Sequence, residues 1–343
     1  LLLLESGLPA ELLTVLDASI DAAREVIAAG VDHVVLTGSA ESGKAIAHQL
    51  AETLTPATME LSGCDAVFLL PGFDQTRAIE AITFGQRFNG SATCMAPRRL
   101  FLVGLSDAEA ASIERKLKAS LSTLQPVPTT LANEVKLREL IEDARKQHAE
   151  IALDGLAAAP ANYAAATLIL RALPSLAVMQ ADLFLPLLGV MRVADVEEVL
   201  AANAACPYAL TASIFGPEEP ARRFARRLRV GNALINSLIV PTADPRISFG
   251  GRGRSGYGVT RGAEGLLAMT TPRTIQIQRS LIPRSLMRRA WQPTRAEHAR
   301  LFAALAQTLH GGSMRQRFNG LRQLIVSGRR LRGEDASQEK ERA

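Results

Sequence analysis

The chain has 343 residues, 48% of them apolar and 21% charged, which suits a globular protein with one large core or two smaller ones. No run approaches the roughly 20 apolar residues needed to cross a bilayer, and Leu1-Leu2-Leu3-Leu4 is too short for a signal-peptide core, so no membrane span is expected. The net charge of +5 sits at the C-terminal end: residues 281–343 carry 13 Lys/Arg against 5 Asp/Glu, which argues against a nucleic-acid-binding body.

In chain order, apolar residues at helical spacing (Leu12, Leu16, Ile20, Ala23, Ile27) predict a helix over 11–30, stopped by Gly30. His33 to Thr37 reads as a short strand that runs into the turn Gly38-Ser39. A second helix follows with Ile46, Leu50 and Leu54 on one face, ended by Pro56. This strand–turn–helix unit belongs to open α/β sheets, whose ligands bind at the carboxyl ends of the strands. Strands are predicted at Thr58–Leu61, at the wholly apolar Val67–Leu70 and at Leu100–Val103. Asp74 is the expected cap of a helix burying Ile79, Ile82 and Phe84, broken at Gly90-Ser91. Further on come a helix at Asp195–Ala202, a strand at Ala212–Phe215 and a glycine-rich stretch from Phe249 to Gly265. Thr274-Ile275-Gln276-Ile277 favours a strand. Thr294 and Glu297 make a capping box for a helix bearing Leu301, Phe302, Leu305 and Leu309, stopped by Gly311-Gly312. A basic amphipathic stretch, Phe318 to Val326, precedes a charged tail, Gly333 to Ala343, expected to be disordered.

The three cysteines, Cys64, Cys94 and Cys206, form no CxxC pair, and their odd number suits no simple disulfide framework, so a reducing cytoplasm is the expected compartment. The five histidines show no metal-ligand spacing, and no metal is expected. Cys94 lies in Phe88-Asn89-Gly90-Ser91-Ala92-Thr93-Cys94-Met95-Ala96-Pro97-Arg98-Arg99. Met59-Glu60-Leu61-Ser62-Gly63 stands upstream, with Glu60 34 residues before the cysteine, and Leu36 to Gly43 stands before that. Asp182-Leu183-Phe184-Leu185-Pro186, Asn203, Gly231 to Asn236 and Phe249 to Gly256 follow in order. Each element alone is weak, but the ordered set resembles the aldehyde dehydrogenase superfamily over roughly residues 5–280.

The resemblance implies an α/β fold, the remainder of a Rossmann-like dinucleotide-binding domain plus an α/β catalytic domain, followed by a basic helical extension. The expected borders are 1–62 for the half dinucleotide domain, 63–255 for the thiol domain, 256–280 for a return and association strand, and 281–343 for the extension. It implies oxidation of a small aldehyde to an acid with NAD or NADP, in a homo-oligomer. A thiol adds to the carbonyl, hydride leaves for the nicotinamide, and a base activates water against the thioester. Cys94 is then the nucleophile and Glu60 the base. Gly38 and Ser39 would hold the cofactor pyrophosphate at a helix N-terminus. Phe184 would pack near the nicotinamide and Asp182 would meet its ribose. Gly250 and Gly251 look structural.

The sequence also departs from the family. Asp182 stands where a glutamate is usual, Leu185 and Ser62 replace glycines, and Cys64-Asp65-Ala66 replaces Lys-Ser-Pro. The family's opening segment, with its oxyanion asparagine and adenosine-ribose contacts, has no counterpart here, so the expectation is a fragment of impaired activity. Two alternatives stay open: a relative that passes the acyl group to coenzyme A, and a non-catalytic scaffold. For the basic extension the expectation is a solvated helix pair, the alternative being an acidic partner.

Overall fold

The computed structural model describes residues 2–277 and 296–341. The chain divides into two compact units, Leu1–Thr271 and Pro272–Ala343, so that the expected borders at 62/63 and 255/256 fall inside the first. In chain order, the strands that position the site are β1 (Val34–Gly38), β2 (Ala57–Leu61), β3 (Asp65–Leu69), β4 (Pro97–Val103), β5 (Glu150–Leu153), β6 (Thr167–Leu170), β7 (Leu187–Val193), β8 (Thr211–Phe215), β9 (Asn232–Ile235) and β10 (Gly256–Tyr257). The larger sheet has the order β9-β8-β3-β4-β7-β6-β5, parallel throughout except for the antiparallel edge pair β6–β5. The smaller sheet pairs β1 with β2 in parallel, and β10 adds to the other side of β2 in the antiparallel sense.

The larger sheet is covered on both faces, which is why its strands read as unbroken apolar runs. Alternate residues go to opposite layers. Val67, Leu69, Leu100 and Leu102 pack with Ile82, Ile113 and Leu117 in one core. Phe68, Phe101 and Met191 pack with Leu137, Ile141, Val199 and Phe224 in the other. Phe68 stacks on Phe101 with ring centroids 5.1 Å apart and meets Phe224 edge-on at 5.0 Å. The covering helices include α3 (Gln75–Arg87), α4 (Asp107–Leu121), α5 (Leu131–Lys146), α6 (Val196–Ala204) and α7 (Glu218–Ala225). Their starts are chemically marked. The Asp74 carboxylate accepts from Arg77 N at 3.1 Å, and Ser106 with Glu109 forms a full capping box.

Beside the smaller sheet lie α1 (Ile20–Ala29) and α2 (Ala40–Ala51), and α8 (Gly262–Ala268) stands near the end of this unit. The helix expected over 11–30 is shorter. Ser19 accepts from Ala22 N at 3.1 Å and starts α1, while Asp17 accepts from Ser19 N at 2.7 Å, so local polar bonds hold residues 17–19 out of the helix. Leu12 and Leu16, whose spacing suggested helix, are exposed. Phe84, expected in the core, is 44% exposed and packs its ring beside Phe88 instead. Thr274–Ile277 forms no strand. No neighbouring strand among the described residues takes its backbone groups, and Ile275 and Ile277 are exposed.

In the second unit, α9 (Ala296–His310) and α10 (Met314–Glu341) pack on each other with Ala304 fully buried. The helix α10 continues through 333–341, the stretch whose charge suggested disorder; Glu, Gln, Lys and Ala there are strong helix formers. Thr294 of the expected capping box lies outside the described residues. Among the described residues no helix is long and apolar enough to cross a membrane.

Candidate active site

The parallel register of the smaller sheet sets Thr37 opposite Glu60 and Gly38 opposite Leu61, so both strands end at one cleft. That cleft has a volume of about 380 Å³, and its walls include Gly38, Ser39, Glu60, Cys94, Asp182 and Phe184. All six residues singled out in the sequence therefore meet in one place, although they span 147 positions from 38 to 184.

Glu60 reaches the Cys94 loop through a close backbone approach. Gly63, three residues on, lies against Cys94, and a Cβ at this position would stand 2.3 Å from the Cys94 carbonyl oxygen. On the other side β10 sets Gly256 against Glu60; Gly256 has φ +101°, and a Cβ there would meet Met59 O at 1.9 Å. The Glu60 carboxylate is clamped by Thr37 Oγ1 at 3.3 Å, by Arg261 Nη1 at 3.4 Å and by a short hydrogen bond from Thr260 Oγ1. Thr260 and Arg261 lie 200 and 201 residues away in sequence, and local reading gave no sign of them.

Cys94 is presented by a strained turn. Asn89, Gly90 and Ser91 take φ of 49°, 60° and 65°, three successive left-handed residues of which only one is glycine. Arg98 holds this turn. Its guanidinium donates to Ser91 Oγ at 2.7 Å, to Ser91 O at 2.6 Å and to Leu185 O at 2.7 Å, so one buried cation ties the nucleophile loop to the segment bearing Asp182 and Phe184. No carboxylate pairs with Arg98 among the described residues. Burial lowers its pKa to about 10, which leaves it charged at neutral pH.

The Cys94 thiol is raised to about 11, first by burial and then by the charge of Asp65, with smaller contributions from Glu60 and Asp182. The resting group is therefore a thiol, in contrast to nucleophilic cysteines whose surroundings depress the pKa. Asp65 is itself lifted to about 7 by burial, against hydrogen bonds from Thr211 N at 3.0 Å and from Thr211 Oγ1.

The opposite wall offers groups for a dinucleotide. Ser39 caps α2, its oxygen accepting from Ser42 N at 3.0 Å and its hydroxyl sharing a second hydrogen bond of 3.0 Å with Ser42 Oγ. Gly38 carries no side chain, and the nearest atom to a Cβ there is Ser42 Cβ at 3.7 Å. Asp182 Oδ1 is buried with no donor, an acceptor that a ligand hydroxyl would satisfy. Burial raises the Asp182 pKa, against a hydrogen bond from Ser62. Phe184 is 42% exposed at the cleft, so it is no ordinary core phenylalanine. These groups fit a ribose and a phosphate. Asn133, at the start of α5, also lines the cleft and was not singled out in the sequence, because a helix-start asparagine ordinarily reads as local capping. Asn203 lies elsewhere, near the end of α6.

A family model described as the aldehyde dehydrogenase family matches residues 1–275. Aldehyde dehydrogenase LUC3 of Fusarium sp is 30% identical over 257 residues, covering 72% of this chain and 55% of the relative. The NADP(+) succinate-semialdehyde dehydrogenase of Deinococcus radiodurans is 28% identical over 283 residues, covering 79% and 59%. The crystal structure of succinic semialdehyde dehydrogenase from Streptococcus pyogenes, in complex with NADP+, shares the fold with a TM-score of 0.71 at 24% identity, covering 80% of this chain and 63% of that one. The chain spans about half the length of the curated relatives it matches. With the site and the family match in agreement, the chain belongs to the aldehyde dehydrogenase family.

Proposed function

We propose that this chain oxidises an aldehyde to a carboxylic acid with NAD or NADP, using Cys94 as nucleophile and Glu60 as base. The observation that carries the reading is the cleft itself, where a half-buried thiol and a clamped carboxylate face polar groups that suit a ribose and a phosphate.

With the thiol near 11, about one molecule in 10⁴ carries a thiolate at pH 7. Attack on the carbonyl is therefore coupled to proton removal, and Glu60 is the group to accept that proton, through a bridging water, and pass it to solvent. The carbon–sulfur bond that forms leaves a thiohemiacetal on Cys94. A cofactor held by Gly38, Ser39, Asp182 and Phe184 would supply the two-electron acceptor that takes this adduct to a thioester. Glu60 then draws a proton from water, the hydroxide adds to the thioester, and the carbon–sulfur bond breaks to free the acid and restore Cys94. A carboxylate fixed by three donors favours water over a second thiol as the acyl acceptor. Three free cysteines suit a reducing cytoplasm, and the exposed Ile275 and Ile277 suit strand addition to a second copy.

The test is an aldehyde assay with each cofactor, read by formation of the reduced nicotinamide. Turnover well below that of a full-length relative is expected with the native chain, and none in Cys94→Ser. Glu60→Gln is expected to slow formation of the acyl group on Cys94, and any acyl mass that does form there is expected to persist. Equal turnover in native protein and Cys94→Ser would sink the proposal.

A further inference from the structure

Cys64 and Cys206 are unused by the chemistry above, yet they pack together in a small cluster with Ala40 and Tyr208. They come from different connections. Cys64 lies between β2 and β3, four residues after Glu60, and Cys206 lies between α6 and β8. Neither stands where a disulfide closes a loop end, and both are free thiols. Their surroundings differ. Cys64 is 1% exposed, whereas Cys206 reaches the wall of a cavity of about 450 Å³. That cavity is also lined by Arg99, Arg227, Arg229 and Arg252, and by no carboxylate. Arg227 is paired with Glu197 at 2.6 Å, but Arg229 and Arg252 are exposed and form no ion pair among the described residues. The cavity therefore favours small anions.

We propose that Cys206 is a second reactive thiol, modified by small anionic disulfides that enter this arginine-lined cavity, with Cys64 as the resolving thiol. The chemistry balances in two exchanges. The Cys206 sulfur attacks one sulfur of the reagent; its S–S bond breaks, a mixed disulfide forms on Cys206, and the first small thiol leaves. Cys64 gives its proton to the departing thiolate and attacks the Cys206 sulfur, so that a Cys64–Cys206 bond forms and the second small thiol leaves. Two protein thiols are oxidised by two electrons and one disulfide is reduced to two thiols.

The electrostatics support this order of events. A hydrogen bond from Cys64 pulls the Cys206 thiol down, helped by the charge of Arg99, while burial pushes Cys64 up. Cys206 is thus the thiolate partner and, though 8% exposed, the one that lines the cavity, while Cys64 is the protonated reserve. Cys94, pushed up to about 11, is the poorer nucleophile toward disulfides at neutral pH although it is the better placed for an aldehyde. The proposal does not depend on the aldehyde reaction.

The experiment treats the reduced full chain with oxidised glutathione at neutral pH, blocks the remaining thiols with N-ethylmaleimide and maps peptides by mass spectrometry. The expected product is a Cys64–Cys206 cross-link with Cys94 carrying maleimide. In Cys64→Ser the glutathione adduct is expected to persist on Cys206, and in Cys206→Ser neither remaining cysteine is expected to react at a comparable rate. A neutral reagent, hydroxyethyl disulfide, is expected to react on the order of 10-fold more slowly at low salt. First modification at Cys94, adduct formation on Cys64 in Cys206→Ser, or a native chain that keeps three free thiols would each overturn the proposal. The native-chain map decides the matter even if a serine variant fails to fold.

Discussion

Every residue of β3 and β4 is buried, whereas β1 alternates between half-buried and exposed and α1 buries no residue at all. The two walls of the cleft are thus held by different forces. Cys94 hangs from a sheet sealed on both faces, where packing over-determines position. Glu60 hangs from β2 of the small sheet, where Met59 and Leu61 are buried in a small apolar cluster and polar contacts fix the carboxylate itself. The sharpest way to break this comparison is to truncate one residue on each side. Phe101→Ala removes a ring stacked in the core and is expected to cost roughly 3–5 kcal/mol in urea unfolding. Val35→Ala, at a site 49% exposed, is expected to stay within about 0.5 kcal/mol. Similar losses at both sites would remove the distinction.

The sealed sheet also stores an electrostatic cost. Asp65 titrates at about 7 in the folded chain against an ordinary value of 3.8. As pH rises the unfolded chain releases this proton first, so the contribution of this one group to stability is greatest below about pH 4, falls up to about pH 7 and then levels. The span is on the order of 4 kcal/mol. Asp65→Asn is expected to flatten that fall in a series of melting temperatures against pH. Because the Asp65 charge also raises Cys94, the same variant is expected to speed iodoacetamide labelling of Cys94 at pH 8. An unchanged pH profile together with unchanged labelling would rule out this role.

The contrast also explains what the sequence could reveal. The sealed strands are legible because burial on both faces demands apolar residues in a row, and Val67 to Leu70 and Leu100 to Val103 satisfy that demand locally. The cleft residues were found as a pattern, since Glu60, Cys94 and Asp182 lie at family spacing. Their meeting was implied by resemblance and could not be derived from periodicity. What the sequence hid are contacts across large separations. Arg98 sits in the quoted Cys94 motif but gives no hint that it stays in the core to hold Ser91. The raised Cys94 pKa depends on burial, and the Thr260 and Arg261 clamp depends on β10 returning beside β2. Leu12 and Leu16 misled for the opposite reason, because their helical spacing met no surface to pack against.

Arg98 ties the Cys94 loop to the segment bearing Asp182 and Phe184, and its removal tests how far the sealed sheet depends on one polar anchor. Arg98→Met fills much of the same volume but leaves the Ser91 and Leu185 carbonyls without a donor. The expected cost is roughly 2–3 kcal/mol in urea unfolding, below that of Phe101→Ala. Arg98→Lys, which can reach only part of the fork, is expected to fall between native and Met. A loss under about 0.5 kcal/mol for Met would mean that water takes over the carbonyls.

The smallest effect on stability is expected on the Glu60 side, where the functional effect is nevertheless measurable. Thr260→Val keeps the shape of the side chain and deletes one donor to a half-buried carboxylate that retains Thr37 and Arg261. The expected loss of stability is within about 1 kcal/mol. A base loosened in this way spends less time aligned with its water, so hydrolysis of an acyl group placed on Cys94 by an activated ester is expected to slow about 10-fold. Acylation itself should change less, because the ester's own leaving group lowers that barrier. Thr260→Ser restores the hydroxyl and is expected to recover most of the rate. Recovery in Ser but not in Val would separate positioning of Glu60 from packing at residue 260. Equal hydrolysis in all three would mean that Thr37 and Arg261 suffice to hold the carboxylate.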